Sequence, residues 1–174
     1  MSFELNPVAI CHRVHRGEKP LTDMAVFISH NPAETESLGD TWGREAQRGL
    51  VIGLSGDLGA GKTQLVKGLA RGLGITAGVH SPTFTLVNIY AGGRLALFHL
   101  DLYRLESRAQ IAAAGLEEYL QPDGVAVIEW AEKWFGEVSG VECHVSVVPA
   151  RFRRVGIEIL GETERRITYE NFGA

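Results

Sequence analysis

Gly56-Asp57-Leu58-Gly59-Ala60-Gly61-Lys62-Thr63 decides how this chain folds. The stretch fits G-x-x-x-x-G-K-[ST], the spacing of a phosphate-binding loop, or P-loop. Its flanks come in the order that such a loop needs. Leu50-Val51-Ile52-Gly53-Leu54-Ser55 is a short apolar run that reads as a buried strand. After the loop, Leu65, Val66, Leu69 and Leu73 recur on one helical face, and Gly74 is placed to cap the end.

The chemistry of phosphate binding asks for these residue types. Gly56, Gly59 and Gly61 let the backbone take conformations that a side chain would block, so several N–H groups can turn inward toward phosphate oxygens. The helix N-terminus adds partial positive charge at the same place. Lys62 is expected to reach the β- and γ-phosphates and the Thr63 hydroxyl to sit on Mg²⁺. The whole run, Gly56, Asp57, Leu58, Gly59, Ala60, Gly61, Lys62 and Thr63, is therefore the expected nucleotide-binding segment.

Upstream, Ala25-Val26-Phe27-Ile28-Ser29 reads as a strand. Asn31-Pro32-Ala33-Glu34 is a helix start, with Asn31 as cap, Pro32 at the first helical position and Glu34 where a capping-box acid belongs. Leu38, Trp42 and Ala46 then share a face, and Gly49 ends the segment. Residues 1–24 are polar and without period, and are expected to form a flexible N-terminal extension. Residues 25–174 then make a single P-loop NTPase domain.

Downstream, Pro82 biases Ser81 toward extended backbone in His80-Ser81-Pro82-Thr83-Phe84-Thr85. The hydroxyls there, Thr83 included, either belong to an ordinary turn or reach a γ-phosphate or its metal. Leu86–Tyr90 and Arg94–Leu100, joined at Ala91-Gly92-Gly93, read as a hairpin. The second of these strands carries His99, expected as a packed or rim histidine, and runs into Asp101. Arg104 is expected to pair with Asp101 and order the loop rather than to contact phosphate directly. Ser107 to Leu120 reads as a helix. Val125-Ala126-Val127-Ile128 is a second buried strand ending at Glu129-Trp130.

Two strands thus each deliver a carboxylate, and a parallel sheet brings strand C-termini to one edge, where ligands bind. Either Asp101 and Glu129 converge with Thr63 on one Mg²⁺, one of them acting directly or through water, or one of them only caps a neighbouring helix; spacing leaves open which acts directly. The aromatics from Trp130 to Phe135 either flank a base, pack against a partner or pack in the core. Cys143–Val148, Arg153–Leu160 and Arg166–Phe172 read as a C-terminal meander, with Arg151 at a turn either reaching a nucleotide or solvated. The fold class is therefore α/β: a P-loop NTPase three-layer sandwich, whose mixed central sheet has a parallel core and antiparallel C-terminal strands.

Composition agrees. A chain of 174 residues carries one sizeable core. A net charge of −4 argues against unaided binding of a nucleic-acid backbone, which rests on clustered Lys and Arg. Cys11 and Cys143 match no metal spacing and no disulfide framework, and Cys11-His12 with His15 lacks the four organised ligands of a metal site. No run is long and apolar enough to span a membrane, and no signal-peptide core is seen, so a cytoplasmic location is expected.

The motifs together resemble the TsaE (YjeE) family of small bacterial P-loop ATPases. The resemblance covers about residues 25–160. It rests on Gly56–Thr63, on Ser81-Pro82-Thr83-Phe84-Thr85-Leu86-Val87, on His99-Leu100-Asp101-Leu102-Tyr103-Arg104-Leu105 and on Ile128-Glu129-Trp130. It implies an ATPase supporting threonylcarbamoyladenosine modification of tRNA beside the anticodon, acting with the TsaD and TsaB proteins, with tRNA met through that complex. It implies ATP at the P-loop, Mg²⁺ at Thr63 and Glu129 with Asp101 close by, and nucleotide contacts from Thr35, Lys133 and Arg151. Lys62, Asp101 and Glu129 would be the catalytic residues. The chain departs from the family pattern in its tail before Met24 and at Ala131, which stands where the family pattern has proline after Glu-Trp. A small-molecule kinase using the same loop is the alternative, and a nucleotide-dependent binding module is a third reading.

Overall fold

The computed structural model describes residues 24–136 and 149–172. The expected extension up to residue 23 and the expected strand at 143–148 lie outside them. The described strands are β1 (Ala25–Ser29), β2 (Leu50–Ser55), β3 (Val87–Tyr90), β4 (Leu97–Asp101), β5 (Val125–Glu129), β6 (Arg151–Ile159) and β7 (Arg165–Phe172). The helices are α1 (Pro32–Glu45), α2 (Lys62–Gly72), α3 (Arg108–Ala113) and α4 (Glu132–Phe135).

The strands join in one sheet of order β1-β7-β6-β2-β5-β4-β3. β6, β2, β5 and β4 run parallel, while β3 and β7 are antiparallel to their neighbours. The P-loop strand β2 thus sits inside a parallel core, as expected. Because β7 reverses between them, β1 points the same way as β6. The C-terminal ends of β1, β2, β4, β5 and β6, and the start of β7, therefore share one edge of the sheet.

Alternation along the parallel strands builds two cores, one on each face. Ile52, Leu54, Leu97, Val125 and Val127 pack with Trp42, Leu65, Val66 and Leu69 of α1 and α2. Val51, Leu100, Ala126 and Ile128 pack with Ile111, Trp134 and Phe135 of α3 and α4. The result is three layers. Full burial of a side chain such as Leu54 or Ile128, each 0% exposed, contributes about 2 kcal/mol.

Asn31 caps α1, its side chain accepting from Glu34 N–H at 3.0 Å, and the Glu34 carboxylate returns to His30 N–H at 2.8 Å. Gly74 follows the end of α2 at φ +79°, the left-handed cap. α1 and α2 cross closely through glycines: a Cβ at Gly39 would strike the Leu65 carbonyl, and one at Gly68 the Glu36 carbonyl.

The helix expected over 107–120 is corrected. Ser107 caps it as read, but α3 ends at Ala113 and a 3₁₀ turn takes over at Leu116–Leu120. Gly115 between them has φ +66°, which α-helix does not admit. Ile111 and Leu116 still face the core, 1% and 4% exposed.

Candidate functional site

The loop between β2 and α2 takes the backbone that its glycines permit: φ is +80° at Gly59 and +104° at Gly61, with Gly61 preceding the first turn of α2. Lys62 folds back over this loop. Its ammonium donates to the carbonyls of Gly56 at 2.6 Å and Asp57 at 2.9 Å, and lies 3.8 Å from the centre of the Trp130 ring. Burial pushes the Lys62 pKa down, and the charges of Glu129, Glu132, Asp101 and Asp57 act against that shift.

Trp130 reaches this position because its backbone sits at φ +60°, in the left-handed region that non-glycine residues avoid at a cost of about 1–2 kcal/mol. Tyr103 packs against the same indole, ring centres 5.2 Å apart.

Parallel register brings the two acids side by side: Asp101 of β4 pairs with Glu129 of β5. Their surroundings differ. Thr63 Oγ1 donates to Glu129 Oε1 at 2.8 Å, and His99 Nε2 lies 2.8 Å from the same oxygen. Asp101 Oδ2 accepts from Ser81 Oγ and from Thr83 Oγ1, the latter at 2.7 Å, while Oδ1 accepts from Tyr103 N–H at 2.9 Å. Thus Glu129 belongs with the P-loop threonine, and Asp101 with the 81–86 loop. Both acids are nearly sealed, 2% and 3% exposed. Leu58, Lys62, Thr63, Thr83, Asp101 and Glu129 share the lining of an open cavity of about 370 Å³.

A second cavity, about 210 Å³, lies on the other side of Gly59–Gly61. Thr35 reaches it from α1, its hydroxyl 2.8 Å from that of Ser29. Glu162, Thr163 and Arg165 reach it from the β6–β7 turn. Arg165 ties that turn to the P-loop, donating to Ala60 O at 3.1 Å and Gly59 O at 3.2 Å.

Two expectations are corrected. Arg151 is not at the site. β6 runs parallel to β2, with Arg151 opposite Leu50 and Gly156 opposite Ser55, so Arg151 lies at the far edge of the sheet and bonds Gln47. At about 3.3 Å per residue the separation along the strand exceeds the reach of a side chain. Arg104 does not pair with Asp101, whose oxygens are engaged as above; its guanidinium stacks 4.1 Å over the Phe84 ring. Lys133 lies beside Trp130 and Tyr103, donating to Leu102 O at 3.1 Å and to Tyr103 O.

Sequence reading missed Arg165 and the bond from His99 to Glu129. Arg165 opens a strand after the Gly161–Glu164 turn, so any arginine there lands at the P-loop edge once β6 is known to be parallel to β2. His99 sits two residues before Asp101, on the same face of β4, which was a usable signal.

The donor set fits magnesium. Thr63 Oγ1 and the Glu129 carboxylate are hard oxygens side by side at the end of the loop, and Mg²⁺ is usually held by one or two such groups with waters and substrate phosphates. Among the described residues no group of three or more His, Cys, Asp or Glu is arranged to hold a metal.

A glycine loop between a central parallel strand and a helix, with an acid at the tip of the next strand, defines a P-loop-type α/β protein. Residues 29–166 match the family described as "Threonylcarbamoyl adenosine biosynthesis protein TsaE". The chain belongs to the TsaE family. It is similar to the tRNA threonylcarbamoyladenosine biosynthesis protein TsaE of Bacillus subtilis (strain 168), 40% identical over 143 residues, 82% of this chain and 83% of that one. The protein of the same name from Treponema pallidum (strain Nichols) is 39% identical over 141 residues, 81% of this chain and 96% of its own. Among solved structures, Bacillus subtilis YdiB superposes with a TM-score of 0.69 at 34% identity, covering 88% of both chains.

Proposed function

We propose that this chain binds ATP with Mg²⁺ and hydrolyses it in support of threonylcarbamoylation of tRNA adenosine beside the anticodon, acting in the cytoplasm with TsaD and TsaB. Family membership supports the pathway. The observation that carries the chemistry is the bond between Thr63 and Glu129 at the head of α2, with Lys62 folded over the same loop.

In this reading the triphosphate lies along Gly56–Thr63, and the base and ribose enter the cavity of Thr35 and Arg165. Lys62 leaves its two carbonyls for the β- and γ-phosphates, a short swing because those carbonyls belong to the loop itself. Thr63 and Glu129 would hold Mg²⁺, which when bound would neutralise charge spreading over the transferred phosphoryl group. Asp101, fixed by Ser81, Thr83 and the Tyr103 N–H, turns an acceptor toward the attacking water. Water attacks the γ-phosphorus in line, the bond to the β–γ bridging oxygen breaks, and ADP and phosphate leave. Lys133 stays a proposed contact beside Trp130, and Arg165 takes the place expected for Arg151.

Lys62→Ala tests this: hydrolysis in the presence of TsaD, TsaB and tRNA should fall by about 10²–10³-fold. An unchanged rate would end the account. Stoichiometric phosphorylation of a metabolite would favour the kinase reading, and partner binding that depends on ATP without turnover the binding-module reading.

A further inference from the structure

We infer that His99 is a positioning residue that fixes the Glu129 carboxylate for Mg²⁺ and so sets the metal affinity of the site. The inference rests on the reading above, in which Thr63 and Glu129 hold the metal.

The alternation of β4 turns Leu97, His99 and Asp101 to the α1–α2 face, the same face that Val125, Val127 and Glu129 of β5 supply. His99 therefore lies within an apolar layer, directly behind the site, at 0% exposure. Its Nε2 is 2.8 Å from Glu129 Oε1. An ionised carboxylate only accepts, so Nε2 carries the hydrogen. Nδ1 is buried and finds no hydrogen-bond partner among the described residues. Leucine or phenylalanine at this position would pack without stranding a nitrogen, so a packing role does not account for the imidazole. What it adds is the bond to Glu129.

Glutamate needs that bond. Its terminal torsion is broad, and the carboxylate turns freely unless something holds it. Here Thr63 holds Oε1 from the loop side and His99 from the sheet side, and neither bond uses Oε2. The Thr63 hydroxyl belongs to the segment that must rearrange around phosphate and metal. His99 belongs to β4, paired on one side with β5 and on the other with β3, and is not part of that segment. It is the member that keeps the carboxylate aimed while the other partner changes. Hydrogen-bond partners of metal ligands act in this way, and losing one typically costs about 10–100-fold in metal affinity or activity.

The test is ADP binding by the purified full-length chain, titrated with Mg²⁺ and repeated in EDTA, with circular dichroism to confirm folding. For His99→Leu the half-saturating Mg²⁺ concentration should rise at least about tenfold while affinity in EDTA holds. His99→Gln, whose amide N–H₂ falls near the position of Nε2, should return it to within about threefold, and the shorter His99→Asn should not. If His99→Leu does not fold, the Gln and Asn variants carry the comparison. Equal Mg²⁺ requirements across wild type and folded variants, or equal impairment in Gln and Asn, would overturn the inference and leave the metal site standing. A wild-type chain whose ADP binding ignores Mg²⁺ would overturn the metal site itself, and this inference with it.

Discussion

Two arginines separate what residue type can say from what position decides. Arg151 and Arg165 open β6 and β7, and of the two only Arg151 was expected from the sequence to reach a nucleotide. The parallel register of β6 on β2 sends Arg151 to the remote edge and brings the start of β7 to the P-loop. Arg165 there holds the carbonyls of Gly59 and Ala60. Arg165→Ala should weaken ADP binding about tenfold, because charge-assisted bonds that brace the loop are lost. Arg151→Ala should leave it within about twofold, since an exposed charge away from the site contributes little. Calorimetric titration of both variants checks the pair, and equal losses would contradict the register. By contrast, Lys62, Thr63, Asp101 and Glu129 were legible from the sequence. A glycine loop needs special backbone angles, and an acid at the end of an apolar run stands out. The division of labour between the acids was not legible, because it depends on which hydroxyls the fold brings to each.

Among the elements, the crossing of α1 and α2 is the least tolerant of change. Gly39, Gly43, Gly68 and Gly72 let the two backbones touch, and an added Cβ at any of them meets main-chain atoms of the opposite helix. Gly68→Ala should cost about 3 kcal/mol, the range of core overpacking, read as a lower midpoint in urea denaturation. A neutral result would mean that the helices can part freely. Asp40 spans the same crossing, bonded to Arg44 at 2.8 Å and to Arg71 at 3.2 Å. The bond to Arg44 is the main cause holding its pKa below the ordinary 3.8, with Arg71 adding to it and burial opposing it. A carboxylate depressed in the folded state stabilises above its unfolded pKa, and that contribution disappears as pH falls through the folded value. Asp40→Asn should therefore flatten the loss of stability on acidification below about pH 4. An acid limb as steep as that of wild type would exclude the linkage. The amphipathic faces of α1 and α2 were plain in the sequence. The break after α3 was missed because Ile111 and Leu116 stay on one apolar side although the chain between them passes through Gly115.

At the scale of the molecule, every residue assigned to the site lies within the described residues, at one edge of one sheet. Removing residues 1–23 should leave ADP affinity within about twofold, as expected for a segment outside the site; a large loss on titration would place part of the site in that segment. Family membership and the layered α/β fold could be read from motif order, because strand, loop and helix occur in an arrangement that few other folds need. The interleaving of the strands could not, since no local pattern says that β7 and β6 insert between β1 and β2. That interleaving has a consequence for how the protein is made. β1 and β2 leave the ribosome before the other described strands, yet the places between them are filled by β6 and β7, which follow all the rest of these, and Arg165 fastens the phosphate cradle only then. A nascent chain released short of β6 should be unable to retain nucleotide, so competence arrives late and all at once rather than growing with length.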